Sequence, residues 1–290
     1  MDVEVRDARP DDVNRVADFA SETWNGWDYV PDVWEDWLEE GVTLVAETDG
    51  RVVGAVHGVT GGRDGDEAWL EGLRVDEKYR REGVASKLVD VALERLGDEG
   101  ASVVRCMVFD DNDAGVALLD TLGFERVTTV RHGRGFGFPY GSIIEEANYD
   151  ESLEVLRDSD AFEATSGLYA TKDWRMWSVP ETVEGYEGDV LGFVEDDDVR
   201  GVALCDGVRV NETAEEKRTE LVLGLVWVEP RYASQFALDV RGEARDRNLN
   251  DALVFLPDDE ELVGAFDQAG FEFDRRDHVY EKKIDTEVTE

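Results

Sequence analysis

Cysteine, proline and lysine are scarce in this chain: its 290 residues include two cysteines, six prolines and six lysines. Two cysteines do not support a disulfide framework, and both Cys106 and Cys205 lie in apolar, strand-like runs where reduced structural cysteines are usual. No signal peptide opens the sequence, and no apolar run approaches the roughly 20 residues that a membrane helix needs. These absences predict a cytoplasmic protein with reduced thiols and no membrane partner.

Positive charge is also scarce, because 30 Lys and Arg residues face 70 Asp and Glu residues, for a formal net charge of −40. The acids are spread through both halves, which indicates a surface adapted to high salt rather than an acidic tail. A hydrophobic fraction of 42% argues against a disordered acidic protein. Without a basic face to replace phosphate counterions, nucleic acid is not an expected partner. Cationic substrates would be attracted, although high salt screens most of that attraction.

The most informative stretch begins with an apolar run over residues 68–75, which predicts a buried strand. A basic turn with one glycine follows, Arg80-Arg81-Glu82-Gly83, and apolar residues at helical spacing from Ala85 to Leu96 then predict a helix packed by one face. The N–H groups and the dipole at the helix start favour an anion such as a pyrophosphate, and the glycine lets it approach the backbone. The alternative is a surface turn capped by arginines in an acidic protein.

A second motif follows the strand predicted over Val103–Phe109. The pattern N-x-x-x-x-A-L-x-x-x-L-G-F runs from Asn112 to Phe124, and it predicts a helix that acidic residues cap at its start and Gly123 ends. With R-x-x-G-x-A at Arg80, this pair of motifs resembles the GCN5-related N-acetyltransferases, the GNAT superfamily. The resemblance implies an α/β (α+β) fold with a mixed central sheet flanked by helices.

The second half of the chain repeats landmarks of the first at a nearly constant offset, which indicates a tandem duplication. The repeated landmarks are Asp11 and Asp150, Gly54 and Gly201, Tyr79 and Tyr232, and Gly123 and Gly270. After Tyr232 neither the arginines nor the glycine of the basic turn recur. We therefore predict a domain 1–140 with the acetyl-CoA site, a degenerate domain 141–285 and a tail 286–290, resembling a tandem GNAT protein of haloarchaeal type.

The resemblance implies transfer of an acetyl group from acetyl-CoA to a primary amine of a small molecule or protein. It places the base on the strand before the basic turn, where Glu71 is the carboxylate, and pairs the main chains of Leu73 and Val75 with the pantetheine arm. The implied cofactor-binding residues are Leu73, Arg74, Val75, Arg80, Arg81, Glu82, Gly83, Val84, Ala85, Ser86, Asn112 and Leu119. Glu71 is alternatively an ordinary strand-end residue, and Asn112 a helix cap.

One position departs from the family pattern. A tyrosine that protonates the thiolate often follows the A-L pair, and here that position is Leu119. Either Tyr140, another group or water supplies the proton, or the enzyme is slow. We assign no metal site, and we interpret His57, on a predicted strand, as a structural histidine rather than a base.

Aromatic residues mark two candidate substrate-binding segments. Trp24, Trp27 and Tyr29 precede a helix whose tryptophans predict a core-facing stripe, with a ligand pocket as the alternative. Phe136 lies in the glycine-rich segment 133–141, which predicts a mobile loop, either an interdomain linker or a lid beside the substrate.

Three function classes compete at this stage. The first is an acetyl-CoA-dependent N-acetyltransferase, the second an acyl-CoA-binding sensor or scaffold with little or no catalysis, and the third an interaction module that binds no cofactor. Leu119 favours the second class, whereas the basic turn and Glu71 favour the first. The repeat predicts either a monomer with pseudo-dimeric halves or a homodimer.

Overall fold

A computed structural model describes residues 2–21, 23, 28–62, 65–139, 145–146, 149–181, 186, 188–196, 198–211 and 217–284. These residues form two compact units. Unit 1 contains the described residues up to Cys106, Ala117–Glu125 and those from Glu281 onward, and unit 2 contains Met107–Val116 and the described part of Arg126–Tyr280. The domains 1–140 and 141–285 remain a prediction distinct from this division.

The first nine elements with their intervening turns lead from the N-terminus to the second motif. They are β1 (Glu4–Asp7), a 3-10 turn (Pro10–Asp12), α1 (Val13–Ala20), α2 (Trp34–Glu39), β2 (Val42–Thr48), β3 (Arg51–Gly61), β4 (Glu67–Val75), a 3-10 turn (Glu77–Tyr79), α3 (Val84–Asp98), β5 (Val103–Phe109) and α4 (Asp113–Thr121). The strands are ordered β1-β2-β3-β4-β5, with β1 to β4 antiparallel and β5 parallel to β4. Most of the apolar positions predicted for α3 are buried, including Leu88, Val89 and Leu96, whereas Ala85 is half-buried.

The remaining elements lie mostly in unit 2. They are β6 (Glu125–Phe136), β7 (Glu145–Glu146), α5 (Tyr149–Arg157), α6 (Asp160–Ala164), β8 (Leu168–Ala170), β9 (Met176–Ser178), β10 (Asp189–Glu195), β11 (Asp198–Asn211), β12 (Arg218–Val228), a 3-10 turn (Pro230–Tyr232), α7 (Ala233–Asp246), β13 (Asp251–Pro257), α8 (Glu260–Gln268), β14 (Phe271–Phe273) and β15 (Asp277–Lys283). The order in the sheet is β6-β13-β12-β11-β10-β7, with β14 on β6, and β12 and β13 are parallel.

The turn of the first hairpin has the backbone conformation that its two residues favour. Asp49 and Gly50 join β2 to β3 with φ values of 52° and 73°. Positive φ at both central residues is the type I′ geometry whose twist suits a two-residue hairpin. The dipeptide Asp49-Gly50, a strong two-residue turn signal, thus forms the hairpin that its sequence favours.

The glycine-rich segment differs from its prediction. Gly133 and Gly135 are buried in β6 rather than in a mobile loop, and they pair with Phe273 and Phe271 of β14. A Cβ on Gly133 would overlap the Phe273 ring, and one on Gly135 would lie 3.0 Å from Phe271 Cε1. The prediction of a linker or lid is thus wrong for residues 133–136, because these glycines admit aromatic rings against the strand.

Both cysteines are buried and free, as predicted. Burial raises the pKa of the Cys106 thiol to about 12 and that of Cys205 to about 11. None of the described helices is long and apolar enough to cross a membrane.

Candidate active site

The backbone that leads from β4 into the basic turn is fixed by an ion pair. The Asp76 carboxylate accepts a hydrogen bond from the Lys78 N–H at 3.1 Å and pairs with the Arg15 guanidinium, which also donates to the Val52 carbonyl at 3.1 Å. Burial opposes ionisation of Asp76, but the Lys78 N–H and Arg15 outweigh it and hold the pKa of the carboxyl below its ordinary value. Helix α1 and strand β3 therefore anchor the start of the turn.

The turn itself is open to solvent. Arg81 and Gly83 have φ values of 64° and 82°, and a Cβ placed on Gly83 would have no atom within 4 Å. Arg80 donates from Nε to the Val75 carbonyl at 3.1 Å, so its side chain folds back along the end of β4. Space and backbone conformation at Gly83 therefore suit close approach of a ligand.

Helix α3 begins at this turn without a side-chain cap among the described residues. Its first intrahelical donor is Lys87 N–H, 3.0 Å from the Gly83 carbonyl. The N–H groups of the three residues before Lys87 consequently have no partner in the first helical turn, and the helix dipole adds to their positive character. Of the predicted cofactor residues here, Arg80, Arg81, Glu82 and Gly83 are exposed, Ala85 and Ser86 are half-buried, and Val84 is buried.

A β-bulge interrupts β4 next to the predicted base. In its register with β3, Arg74 pairs with Ala55 and Glu71 with His57, so β4 carries one extra residue between these pairs. Gly72 lies there with φ 64°, and a Cβ on it would overlap the Trp37 ring. Only glycine fits both this conformation and this contact.

Strand β4 leaves β5 soon after it begins. The parallel register contains three pairs, between Glu67–Trp69 and residues 103–105, and no further pair follows among the described residues. The Asp76 N–H donates to the Val53 carbonyl at 2.9 Å, so alternation turns the main chains of Leu73 and Val75 toward the other edge. Among the described residues that edge carries no further ladder pair, as the predicted pairing with pantetheine requires.

A cluster of polar and aromatic groups lies beside Glu71 in unit 1. Arg74 donates to Asp28 from Nε at 2.6 Å and from Nη2 at 3.3 Å, and its guanidinium carbon lies 5.5 Å from the centre of the Tyr29 ring. Burial and the negative charge of Glu71 raise the pKa of Tyr29, and Arg74 opposes them. Arg74 thus neutralises Asp28, while Glu71, half-buried, adds a negative charge next to a tyrosine.

The remaining predicted site residues are placed differently. Leu119 is 7% exposed in unit 1, whereas Asn112 and Phe136 belong to unit 2. Asn112 Oδ1 accepts from the Gly115 N–H at 3.0 Å, which is the helix-capping role considered above. Phe136 is 53% exposed, with the Arg218 guanidinium 5.0 Å from its ring centre. Trp24, Trp27 and Tyr140 lie outside the described residues.

The segment of the second half that matches the basic turn has a different backbone conformation. After the 3-10 turn that ends at Tyr232, α7 begins directly at Ala233, so residues 233–236 form a helical turn where residues 80–83 form an open one. Phe236, at the position that matches Gly83, is fully buried in the core of unit 2. The Phe236 ring packs against Gly201, because a Cβ on Gly201 would lie 3.0 Å from Phe236 Cδ2.

Three features of this site went unpredicted from the sequence. They are the Arg15–Asp76 ion pair, the bulge at Gly72, and the contact of His57 with Thr43, whose Nδ1 and Oγ1 atoms lie 2.9 Å apart. A lone glycine inside a strand pattern is a known signal for a bulge and was available at Gly72. The two side-chain pairs join residues far apart in the chain and carry no local signal.

The chain is similar in sequence to acetyltransferases. The profile of the Acetyltransferase (GNAT) family matches residues 13–124, which contain both predicted motifs. An acetyltransferase of Pectobacterium atrosepticum is 33% identical over 106 residues, which make up 37% of this chain and 68% of that relative. An acetyltransferase of Yersinia pestis (strain Pestoides F) is 34% identical over 91 residues, 31% of this chain and 62% of its own length.

Two solved structures resemble the fold along nearly the whole chain. A putative acetyltransferase from Thermoplasma acidophilum covers 97% of this chain and 100% of its own at a TM-score of 0.61 and 18% identity. A GCN5-related N-acetyltransferase from Sphaerobacter thermophilus covers 97% and 95% at a TM-score of 0.59 and 14% identity. These likenesses confirm the predicted mixed α/β fold. The GNAT profile and the Pectobacterium relative, which is covered over two thirds of its length, lead to one conclusion: the chain belongs to the GCN5-related N-acetyltransferase (GNAT) family.

Proposed function

We propose that this N-acetyltransferase binds acetyl-CoA in unit 1 and transfers its acetyl group to a primary amine of a small molecule or protein. The observation that carries this proposal is the uncapped start of α3 beside the open turn at Gly83. Backbone N–H groups, a helix dipole and two exposed arginines there suit the pyrophosphate of CoA. Asp76, neutralised by Arg15, holds the turn in place without presenting a free carboxylate.

When bound, acetyl-CoA supplies the acetyl group as a thioester. Leu73 and Val75, on the free edge of β4, would hold the pantetheine arm by main-chain hydrogen bonds. Glu71 would accept a proton from the substrate ammonium, and the freed amine nitrogen would then form the new bond to the acetyl carbon. The departing thiolate needs a proton, and because Leu119 has none to give, Tyr140 or water would supply it.

The test of Glu71 is thiol release from acetyl-CoA with a panel of primary amines in molar salt. We expect Glu71→Gln to lower kcat/KM by about 100-fold or more, which is the scale of general base catalysis, while CoA affinity stays unchanged. Glu94→Gln, an exposed carboxylate on α3, is the matched control and should retain wild-type turnover. Wild-type turnover in Glu71→Gln would exclude Glu71 as the base.

The second candidate function is an acyl-CoA-binding sensor or scaffold, which Leu119 favours by removing the usual thiolate acid. The two candidates differ in one measurement, because a sensor binds CoA in calorimetry but releases no thiol with any amine. A chain that does neither would be an interaction module.

We further infer that the second half is a degenerate copy without a cofactor site. The orders β1-β2-β3-β4-β5 and β7-β10-β11-β12-β13 share one pattern, with a single parallel pair at the end, which supports a tandem duplication. The helical turn at 233–236 and the buried Phe236 leave no open glycine where the first half has one. We accordingly infer one CoA per chain.

A further inference from the structure

A row of three side chains crosses neighbouring strands of unit 1. Thr43 on β2 is in register with His57 on β3, and His57 is in register with Glu71 on β4. Directly opposed residues of antiparallel strands present their side chains on one face, with Cβ atoms about 4.5–5.5 Å apart. Thr43, His57 and Glu71 are therefore neighbours in a row on one face of the sheet.

The His57 ring has a fixed orientation. It is fully buried and stacks on the Trp37 indole, with ring centres 4.5 Å apart and an interplanar angle of 5°. Its Nδ1 lies 2.9 Å from Thr43 Oγ1, and that hydroxyl donates its one hydrogen to the Trp37 carbonyl at 2.7 Å. The hydroxyl can only accept from the imidazole, so Nδ1 carries a hydrogen. Protonation changes of His57 are thus confined to Nε2, on the side of the ring away from Thr43.

We propose that His57 is a positioning residue for Glu71: its imidazole lies beside Glu71 on the same face of the sheet and, when protonated at Nε2, stabilises the ionised carboxylate and the position it takes. This rests on the proposed function, since it takes Glu71 as the base. An opposite charge within about 4–6 Å typically lowers a carboxyl pKa by about 1–3 units. Thr43 and Trp37 act indirectly, because they fix the orientation of the His57 ring beside Glu71.

The other described groups around His57 and Glu71 do not take the place of the interaction between these two residues. Strand β2 contributes the uncharged Thr43, α2 contributes the Trp37 indole, and α3 packs the apolar Leu96 against β3 at Gly58. Beyond Glu71, Asp28 and Arg74 are bound to each other, and Tyr29 feels the charges of both together with that of Glu71. His57 and Glu71 should therefore titrate as one coupled pair.

The first experiment is the pH dependence of kcat/KM with one amine acceptor in wild type, His57→Gln and Thr43→Val. We expect the acid limb to move up by about one pH unit in His57→Gln and by less in Thr43→Val, with the KM for acetyl-CoA unchanged. His278→Gln is the matched control, because His278 Nδ1 also lies 3.0 Å from a threonine hydroxyl, that of Thr129, but in unit 2. Its pH profile should be that of wild type.

The second experiment does not need turnover. NMR titration of the histidine Cε1–H resonances, with His57 assigned by Thr43→Val and His57→Gln, should show His57 protonated to a higher pH in wild type than in Glu71→Gln. An unchanged His57 titration in Glu71→Gln overturns the proposal, even if His57→Gln does not fold. So does an inactive Glu71→Gln combined with wild-type acid limbs in His57→Gln and Thr43→Val. An active Glu71→Gln instead refutes the proposed base.

Discussion

Gly83 is the residue on which the proposed cofactor binding depends most directly. We expect Gly83→Asp to abolish CoA binding, because its side chain would enter the space that a pyrophosphate needs and place a carboxylate against it. The fold should persist, since a Cβ there meets no atom within 4 Å. Calorimetry with CoA measures the effect. Because residues 233–236, which match this turn in the second half, form a helical turn, we expect no residual site in the variant.

Gly100 offers a control that also has a positive φ. It lies just beyond the other end of α3, has φ 106°, and leaves the same open space around a Cβ. Gly100→Asp adds the same charge and a comparable backbone penalty of about 1 kcal/mol to the free energy of unfolding. It should bind CoA as wild type does. Equal affinity in both variants, or half the stoichiometry in Gly83→Asp, would contradict the assignment.

For single residues, the sequence predicted features that depend on a few neighbouring residues. It missed those that depend on the pairing register of the strands. The open turn at Gly83 and the helix cap at Asn112 could be predicted because turns and caps act within a few residues, whereas the cofactor contacts of both residues stay a prediction. The row from Thr43 through His57 to Glu71 arises from the pairing of three strands, and a bulge at Gly72 sets part of that pairing. His57 was interpreted as a structural histidine rather than a base, and its neighbours Thr43 and Trp37 followed only from the structure.

Among the elements, the last strand, β15, brings Glu281 into contact with β5 of unit 1. Arg105 on β5 is 8% exposed and donates to Glu67 at 2.5 Å and to Glu281 on β15 at 2.8 Å. The Ile284 N–H donates to the Ser102 carbonyl at 2.9 Å. Unit 1 therefore contains residues from both ends of the chain.

We expect a chain ending at residue 140 not to fold cooperatively. Without Glu281 the buried Arg105 loses one of its carboxylates, and breaking a buried ion pair typically costs about 3–5 kcal/mol of unfolding free energy. Circular dichroism and thermal unfolding in molar salt provide the measurement. Full-length Glu281→Gln separates the loss of charge from the loss of the strand and should fold with a lowered Tm. A cooperative transition in the short chain would show that residues 1–140 are autonomous.

Whether a segment is a helix or a strand was easier to predict than which other segment it packs against or pairs with. Strand β5 and the segment from the basic turn into α3 follow from apolar periodicity, because burial of one face fixes the period. Strand β6 was missed in part, since glycines that make room for Phe271 and Phe273 have the same local signature as glycines in a flexible loop. A partner more than a hundred residues away decides between the two, and periodicity contains no information about it.

For the whole molecule, the dominant physical fact is the net charge of −40. Many of the described arginines are already paired, as in the contacts of Arg6 with Asp12 and of Arg247 with Glu243, and surface pairs of this kind contribute only about 0–1 kcal/mol each. Acids outnumber bases by 40 (70 against 30), so pairing one cation with one carboxylate still leaves a large excess of negative charge. Removing salt strengthens the attraction of the pairs, but it strengthens the more numerous repulsions further.

We therefore expect Tm to fall steadily as ionic strength falls from molar to millimolar. The Debye length grows from about 3 Å at 1 M to about 30 Å at 0.01 M, so carboxylates across a compact unit begin to repel one another. Thermal unfolding in NaCl and in tetramethylammonium chloride should give parallel curves if screening is the cause, and sucrose at matched osmolality should not replace the salt. A Tm that stays flat over this range would refute the high-salt adaptation predicted from composition, and with it the expected haloarchaeal type.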